Sequence, residues 1–132
     1  MIAAAGSRSA NVLVVEDEVF LREVIAECLQ EAGFEVASVG DGDAGLAVLQ
    51  SGASVDVLLS DVRLPGISGY ELAAAGQALR PDMKMILMTG YAPILPSALE
   101  PSVYRVLQKP FRIDSLAGVI AAALDGAADV AT

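Results

Sequence analysis

The stretch Val55–Gly66, VDVLLSDVRLPG, contains an apolar run that ends at an acidic residue, and Pro65 and Gly66 then break regular structure. Apolar runs without alternation are typical of strands that are buried on both faces of a parallel sheet. We therefore expect a central strand over Val55–Ser60, with Asp61 at its carboxyl end, where open α/β sheets form their binding crevices. A carboxylate in that position requires a neutralising partner.

The rest of the chain alternates similar short apolar runs with segments of helical periodicity. The other predicted strands are Val12–Val15, Phe34–Val39, Lys84–Met88 and Tyr104–Leu107, and the predicted helices lie over 21–32, 43–51, 69–79 and 113–124. This order indicates an α/β fold with a parallel sheet and right-handed crossovers. The segment Tyr91–Pro101 contains three prolines where the alternation requires a fourth crossover helix, so we expect that helix to be short or irregular.

Length and composition predict one globular domain. The chain has 132 residues, 55% of them hydrophobic, and its longest charge-free stretch, Met85–Leu99, is too short for a membrane span. One cysteine, Cys28, excludes a disulfide framework, and its helical phase predicts core packing. We expect a cytoplasmic protein with a domain over 11–124, an N-terminal arm over 1–10 and a C-terminal tail over 125–132.

The charge balance limits the chemistry that the chain can perform. The formal net charge is −9, which argues against direct nucleic-acid binding because phosphate contacts need a basic face. The chain has no histidine, which removes histidine acid–base catalysis and most zinc or copper sites. The remaining candidates are carboxylates, hydroxyls, lysine and a hard metal ion.

Polar side chains follow four of the predicted strands. Glu16 and Asp17 follow the first, Asp61 the third, Thr89 the fourth and Lys109 the fifth. These strand ends share one edge of a parallel sheet whose strands are about 4.8 Å apart, so the side chains are within reach of one another. Three carboxylates there repel by several kcal/mol, since two like charges at 4 Å cost roughly 4 kcal/mol at an effective dielectric of 20.

A divalent cation together with Lys109 would offset these negative charges. The all-oxygen ligand set favours a hard ion, and Mg²⁺ is the natural candidate because it takes one or two carboxylates plus phosphate oxygens. An ionised, oriented Asp61 beside such a metal is placed to attack phosphorus and form an aspartyl phosphate. Lys109 would absorb charge on the transferred group, and the Thr89 hydroxyl could donate to a phosphoryl oxygen.

Four motifs resemble the receiver domain of two-component response regulators: VLVVEDE at 12–18, LLSDVRLPG at 58–66, MTG at 88–90 and QKPF at 108–111. The resemblance implies a flavodoxin-like (βα)5 doubly wound sheet of strand order 2-1-3-4-5. It also implies that Asp61 accepts a phosphoryl group from a histidine kinase or a histidine phosphotransfer protein. The Mg²⁺ ligands by the same resemblance are Glu16, Asp17, Asp61 and the Arg63 carbonyl, and the conserved hydroxyl and lysine of the family match Thr89 and Lys109. The Lys109–Pro110 bond is cis in the family.

The resemblance also implies a signalling module rather than a conventional enzyme. Its output would be a changed surface for a downstream protein partner, with the chain a monomer or weak dimer that contacts neither nucleic acid nor membrane. At the position where receivers carry an aromatic residue this chain has Val106, and Tyr104 lies two residues earlier on what the alternation predicts to be the same strand face. Tyr91 is a candidate for a lid or a partner contact.

Other functions and roles stay open at this point. An aspartate-based small-molecule phosphohydrolase is the alternative function, although it would want a second acid where the chain has Arg63. A receiver that binds partners without taking phosphate is a third. Glu16 and Asp17 could instead serve a helix N-terminus, Thr89 could be structural, and Lys109 could be a solvated strand-end residue.

Overall fold

Five parallel strands form one sheet: β1 (Asn11–Val15), β2 (Glu35–Val39), β3 (Val57–Asp61), β4 (Lys84–Thr89) and β5 (Val103–Gln108). The computed structural model describes residues 9–91 and 95–126 of the chain. The strands lie in the order β2-β1-β3-β4-β5, which confirms the expected topology. The three central strands are almost wholly buried, as expected for strands covered on both faces.

The described residues contain four α-helices and two short 3₁₀ helices, the last two of which follow β5: α1 (Val19–Glu31), α2 (Gly42–Gln50), α3 (Gly69–Leu79), Ser97–Leu99 (3₁₀), Ile113–Ser115 (3₁₀) and α4 (Leu116–Leu124). Among the described residues the fourth crossover contains only the 3₁₀ helix Ser97–Leu99, in agreement with the short or irregular helix expected there. The last α-helix begins at Leu116, three residues later than predicted, because Ile113–Ser115 is wound more tightly. None of the helices in the described ranges is long and apolar enough to cross a membrane.

Two apolar layers cover the two faces of the sheet. The first layer lies under α1 and α4 and includes Ile25, and the second lies under α2 and α3 and includes Leu49 and Leu72. The Cys28 thiol is half-buried on α1 and lies 3.6 Å from the carbonyl oxygen of Ile113, which agrees with a packing role. This two-layer packing fixes the sheet whose carboxyl edge carries the candidate site.

The prediction that Tyr104 shares a strand face with Val106 is wrong. The register between β4 and β5 shifts beside Met85 and Ile86, so β5 contains a β-bulge at Tyr104. One extra residue inverts the alternation of side chains, and Tyr104 packs against the first layer while Val106 packs against the second. Tyr104 therefore does not take the place of an aromatic residue at Val106.

The central strand β3 is displaced relative to the predicted strand. It begins at Val57, because Asp56 already closes onto the start of β1: its carboxylate accepts the Asn11 N–H at 2.7 Å and its own N–H donates to the Asn11 carbonyl at 2.8 Å. It ends at Asp61, where Gly69 of α3 lies so close that a Cβ would overlap the Asp61 carbonyl oxygen. The close approach of α3 fixes the backbone at the end of β3.

Side-chain caps begin two of the helices. Asp41 accepts the Ala44 N–H at 2.7 Å and is the N-cap of α2. Ser68 and Glu71 form a reciprocal capping box at the start of α3. The predicted arm over 1–10 and tail over 125–132 fall largely outside the described residues, and the domain boundaries at 11 and 124 stay a prediction.

Candidate functional site

The strand ends bring the predicted site residues to one edge of the sheet. Glu16 directly follows β1, Asp61 ends β3, Thr89 ends β4 and Lys109 directly follows β5. Glu16, Asp61 and Thr89 are buried, with 1%, 7% and 3% of their surface exposed, so the apolar strands hold these polar groups out of water. Polar groups in such positions require partners: Glu16 and Asp61 share the ammonium of Lys109, and Thr89 accepts a backbone N–H.

Three carboxylates form an acidic cluster, which we define as Glu16, Asp17 and Asp61. One oxygen of each lies within 4.8 Å of the others, with Asp17 exposed to solvent and the other two buried. A set of carboxylate oxygens with one solvent-facing member fits a hard, partly hydrated cation such as Mg²⁺. The acidic cluster can therefore hold the ion that the sequence predicted.

Lys109 neutralises the buried part of the acidic cluster. Its Nζ donates to Glu16 Oε1 at 2.8 Å and to Asp61 Oδ2 at 3.1 Å. The backbone of Lys109 is fixed to β4, because its N–H donates to the Thr89 carbonyl at 2.7 Å. The Lys109–Pro110 bond is cis, as the resemblance implied. One ammonium group thus bridges two carboxylates that come from different strands.

The two partners in the shortest of these contacts have shifted pKa values. Burial raises the pKa of the Glu16 carboxyl above its ordinary value, and the hydrogen bond from Lys109 offsets only part of that rise. Burial by itself would lower the pKa of Lys109, but the hydrogen bonds to Glu16 and Asp61 outweigh it and raise that pKa. The lysine is therefore charged at neutral pH, whereas burial disfavours the charged form of Glu16.

The loop between β1 and α1 is tied to itself by Glu16. The second carboxylate oxygen of Glu16 accepts the N–H of Glu18 at 3.1 Å, so Glu16 also satisfies a backbone donor at the helix N-terminus. The carbonyl oxygen of Glu16 accepts a hydrogen bond of 2.9 Å from the guanidinium of Arg22. Arg22 was not among the predicted site residues, although a cation in the first turn of a helix, where the macrodipole disfavours it, is a signal that could have indicated a special role.

Thr89 ends β4, the strand next to the one that Asp61 ends. Its hydroxyl oxygen accepts the N–H of Tyr91 at 3.1 Å. The alternation along β4 places Thr89 on the same side as Leu87, whose partner on β5 is Val106. The aliphatic residue Val106 of β5 therefore lies on the same face of the sheet as Thr89.

Arg63 and Tyr91 form a pair at the loops that follow β3 and β4. The Arg63 guanidinium carbon lies 4.9 Å from the centre of the Tyr91 ring, within the range of a cation–π contact. Tyr91 is 62% exposed, so the pair lies at the surface. Sequence reasoning singled out both residues but did not predict that their side chains meet.

A sheet of order 2-1-3-4-5 with an acidic cluster and a lysine at its carboxyl edge defines a receiver-type α/β protein. A profile of the response regulator receiver domain matches residues 12–121, and the chain belongs to this family.

Relatives carry this domain both alone and joined to other segments. The chain is 35% identical over 112 residues to the C4-dicarboxylate transport transcriptional regulatory protein DctD of Rhizobium meliloti, covering 83% of this chain and 24% of DctD. It is 30% identical over 112 residues to the response regulator receiver protein CpdR of Brucella abortus, covering 83% of this chain and 92% of CpdR. The chain thus spans about a quarter of DctD and nearly all of CpdR.

The fold is also that of solved receivers. The response regulator protein TrrA of Thermotoga maritima, solved in complex with Mg(2+)-BeF, superposes with a TM-score of 0.75 at 32% identity, covering 85% of this chain and 96% of that one. Receivers are signalling domains rather than conventional enzymes.

Proposed function

We propose that this chain is the phosphoacceptor of a two-component phosphorelay and that Asp61 receives the phosphoryl group. The observation that carries the proposal is the position of Asp61: its carboxylate ends the central strand, belongs to the acidic cluster and accepts a hydrogen bond from Lys109 at 3.1 Å. A carboxylate held in this way can act as a nucleophile, since Lys109 fixes one oxygen, Oδ2, and the other oxygen is available to bond to phosphorus.

The transfer forms one bond and breaks another. A carboxylate oxygen of Asp61 bonds to phosphorus, the bond from phosphorus to the imidazole nitrogen of a donor histidine breaks, and its electron pair returns to that nitrogen. The chain has no histidine, so the donor histidine lies outside this sequence, on a histidine kinase or a histidine phosphotransfer protein. The similarity to CpdR and TrrA supports this assignment.

Lys109 and Thr89 have roles after the transfer. The ammonium of Lys109, which already contacts Asp61, can form an ion pair with a phosphoryl oxygen once Asp61 carries the phosphoryl group. The Thr89 hydroxyl can donate to a phosphoryl oxygen, because in the described structure it acts only as an acceptor, from the Tyr91 N–H. Both residues are thus binding groups for the phosphorylated state.

Mg²⁺ would be held by Glu16, Asp17, Asp61 and the carbonyl of Arg63. The donor set of the acidic cluster fits this ion, and TrrA was solved in complex with Mg(2+)-BeF. When bound, the ion supplies positive charge to the phosphoryl oxygens during transfer. We place the chain in the cytoplasm, as a monomer or weak dimer whose output is a contact with a downstream protein.

Acetyl phosphate with Mg²⁺ tests this proposal directly, because it is a donor that needs no partner protein. We expect intact-mass spectrometry to show one added phosphoryl group that is labile to hydroxylamine and that is lost in Asp61→Asn. The matched control is Asp56→Asn, which directly precedes the first residue of the same strand and should still be labelled. Labelling of Asp61→Asn at wild-type stoichiometry would refute the assignment, and multiple turnover on sugar phosphates would favour the phosphohydrolase alternative.

A further inference from the structure

We propose that Arg22 is a positioning residue for the metal-binding acids. Its guanidinium donates to the carbonyl oxygen of Glu16 at 2.9 Å. That carbonyl belongs to the peptide unit that joins Glu16 to Asp17, so the hydrogen bond fixes the plane from which both carboxylates project. The inference rests on the proposed function, because it concerns the residues proposed to hold Mg²⁺.

The other hydrogen bonds of Glu16 are made by its N–H and its carboxylate, not by the carbonyl that joins it to Asp17. The N–H of Glu16 is tied to the Val39 carbonyl at 3.1 Å, and its carboxylate accepts from Glu18 and Lys109. Asp17 is exposed, and its direction depends on the backbone that precedes it. The Arg22 hydrogen bond thus supplies the restraint that lies between the two acids.

The charge of Arg22 does not stabilise α1 at this position. It lies in the first turn of α1, where a positive charge opposes the helix macrodipole. The residue before the helix, Glu18, makes no side-chain capping hydrogen bond. The gain from Arg22 is therefore its contact with the acidic loop rather than any support of the helix itself.

Gly40 leaves room for the guanidinium. A Cβ built on Gly40 would lie 2.8 Å from Nη1 of Arg22, closer than real Cβ contacts allow. The obstructing atom is the end of a flexible side chain, so alanine at this position would displace the guanidinium at little cost to the backbone. Gly40→Ala should therefore remove the hydrogen bond to Glu16 while Arg22 itself is retained.

The experiment measures Mg²⁺ affinity by calorimetric titration of the metal-free chain with MgCl₂, with urea unfolding of the same samples. We expect Arg22→Gln to weaken Mg²⁺ binding about 10-fold, the lower end of the range for residues that orient metal ligands. Gly40→Ala should weaken binding in the same direction, and the double variant should bind no more weakly than Arg22→Gln, because both changes remove one contact.

Arg80→Gln is the matched control. Arg80 also donates to backbone carbonyls, those of Leu49 and Ser51 at 3.1 and 3.0 Å, but it does so at the end of α2. Its loss should lower the free energy of unfolding without changing Mg²⁺ affinity, which shows the result expected of a purely structural arginine.

The outcomes separate this inference from the proposed function. Wild-type Mg²⁺ affinity in both Arg22→Gln and Gly40→Ala would overturn the role of Arg22 while wild-type labelling at Asp61 leaves the proposed function intact. Additive losses in the double variant would also overturn it, since the two changes would then act separately. A wild-type chain that binds no Mg²⁺ and takes no label would overturn both.

Discussion

Replacement of Lys109 by glutamine removes the ammonium that bridges Glu16 and Asp61 and leaves two buried carboxylates without it. The side chains of Glu16 and Asp61 are only 1% and 10% exposed, whereas that of Lys109 is 24% exposed. The variant therefore tests how much the apolar strand ends depend on one cation.

The expected cost follows from the burial of the three groups. Breaking a buried ion pair by removing one partner costs about 3–5 kcal/mol. Because part of Lys109 reaches solvent, we take the lower end and expect Lys109→Gln to lose about 3 kcal/mol of unfolding free energy without metal. A double variant, Glu16→Gln with Lys109→Gln, should recover part of that loss, since it leaves one buried charge fewer.

The assay is urea unfolding at neutral pH in EDTA, repeated with excess Mg²⁺. Mg²⁺ should narrow the gap between wild type and Lys109→Gln, because the ion supplies positive charge to the same carboxylates and binds only the folded chain. Arg112→Gln is the control: it removes a cation from an ion pair with Asp114 whose side chains are 82% and 69% exposed, and should change stability little. Equal stability of wild type and Lys109→Gln in EDTA would refute the reasoning.

Three further predictions concern single positions. Burial raises the pKa of Glu16 above its ordinary value of 4.5, so the folded state binds this proton more tightly than the unfolded state does. In EDTA, the unfolding free energy of wild type relative to Glu16→Gln should therefore fall as the pH rises from about 4.5 through the folded pKa. Urea titrations at several pH values that show no such trend would contradict this. Gly69→Ala should destabilise the fold by about 2 kcal/mol or more, because its Cβ would meet the backbone of Asp61, and an unchanged urea midpoint would argue against that close approach. Tyr104→Leu should cost about 1 kcal/mol of unfolding free energy yet leave the acetyl phosphate labelling rate at its wild-type value, because the bulge places Tyr104 on the face of the sheet opposite to Val106. Slowed labelling would show that Tyr104 acts on the site.

The sheet and the site edge were predictable because their signals are local. Each central strand is an apolar run that stops at a polar residue, and the parallel arrangement then brings Glu16, Asp61 and Thr89 to one edge whatever the details of the helices. The three prolines of the fourth crossover likewise predicted its irregularity. Each of these features follows from a pattern spread over several residues, so it can be predicted without knowledge of any single contact.

Features that depend on a single inserted residue or a single contact could not be predicted. The bulge at Tyr104 inverts one strand face without any break in the apolar pattern of β5. The hydrogen bond of Arg22 to Glu16 and the stacking of Arg63 on Tyr91 join residues whose backbone positions must be known to within an ångström or so. A sequence pattern gives the side of an element that a residue occupies, but not the atom that it meets.

The direction of the strands has a practical consequence for work with this chain. Asn11 begins β1 at the edge of the sheet opposite the acidic cluster, and α4, which runs against the strands as crossover helices do, ends at Leu124 toward that same far edge. A tag, a dye or a surface linker joined at either end of the described chain would therefore lie far from the acidic cluster, where we propose that a donor protein binds. Immobilised samples should bind and react like free ones, which makes surface-based kinetics a suitable format for the measurements above.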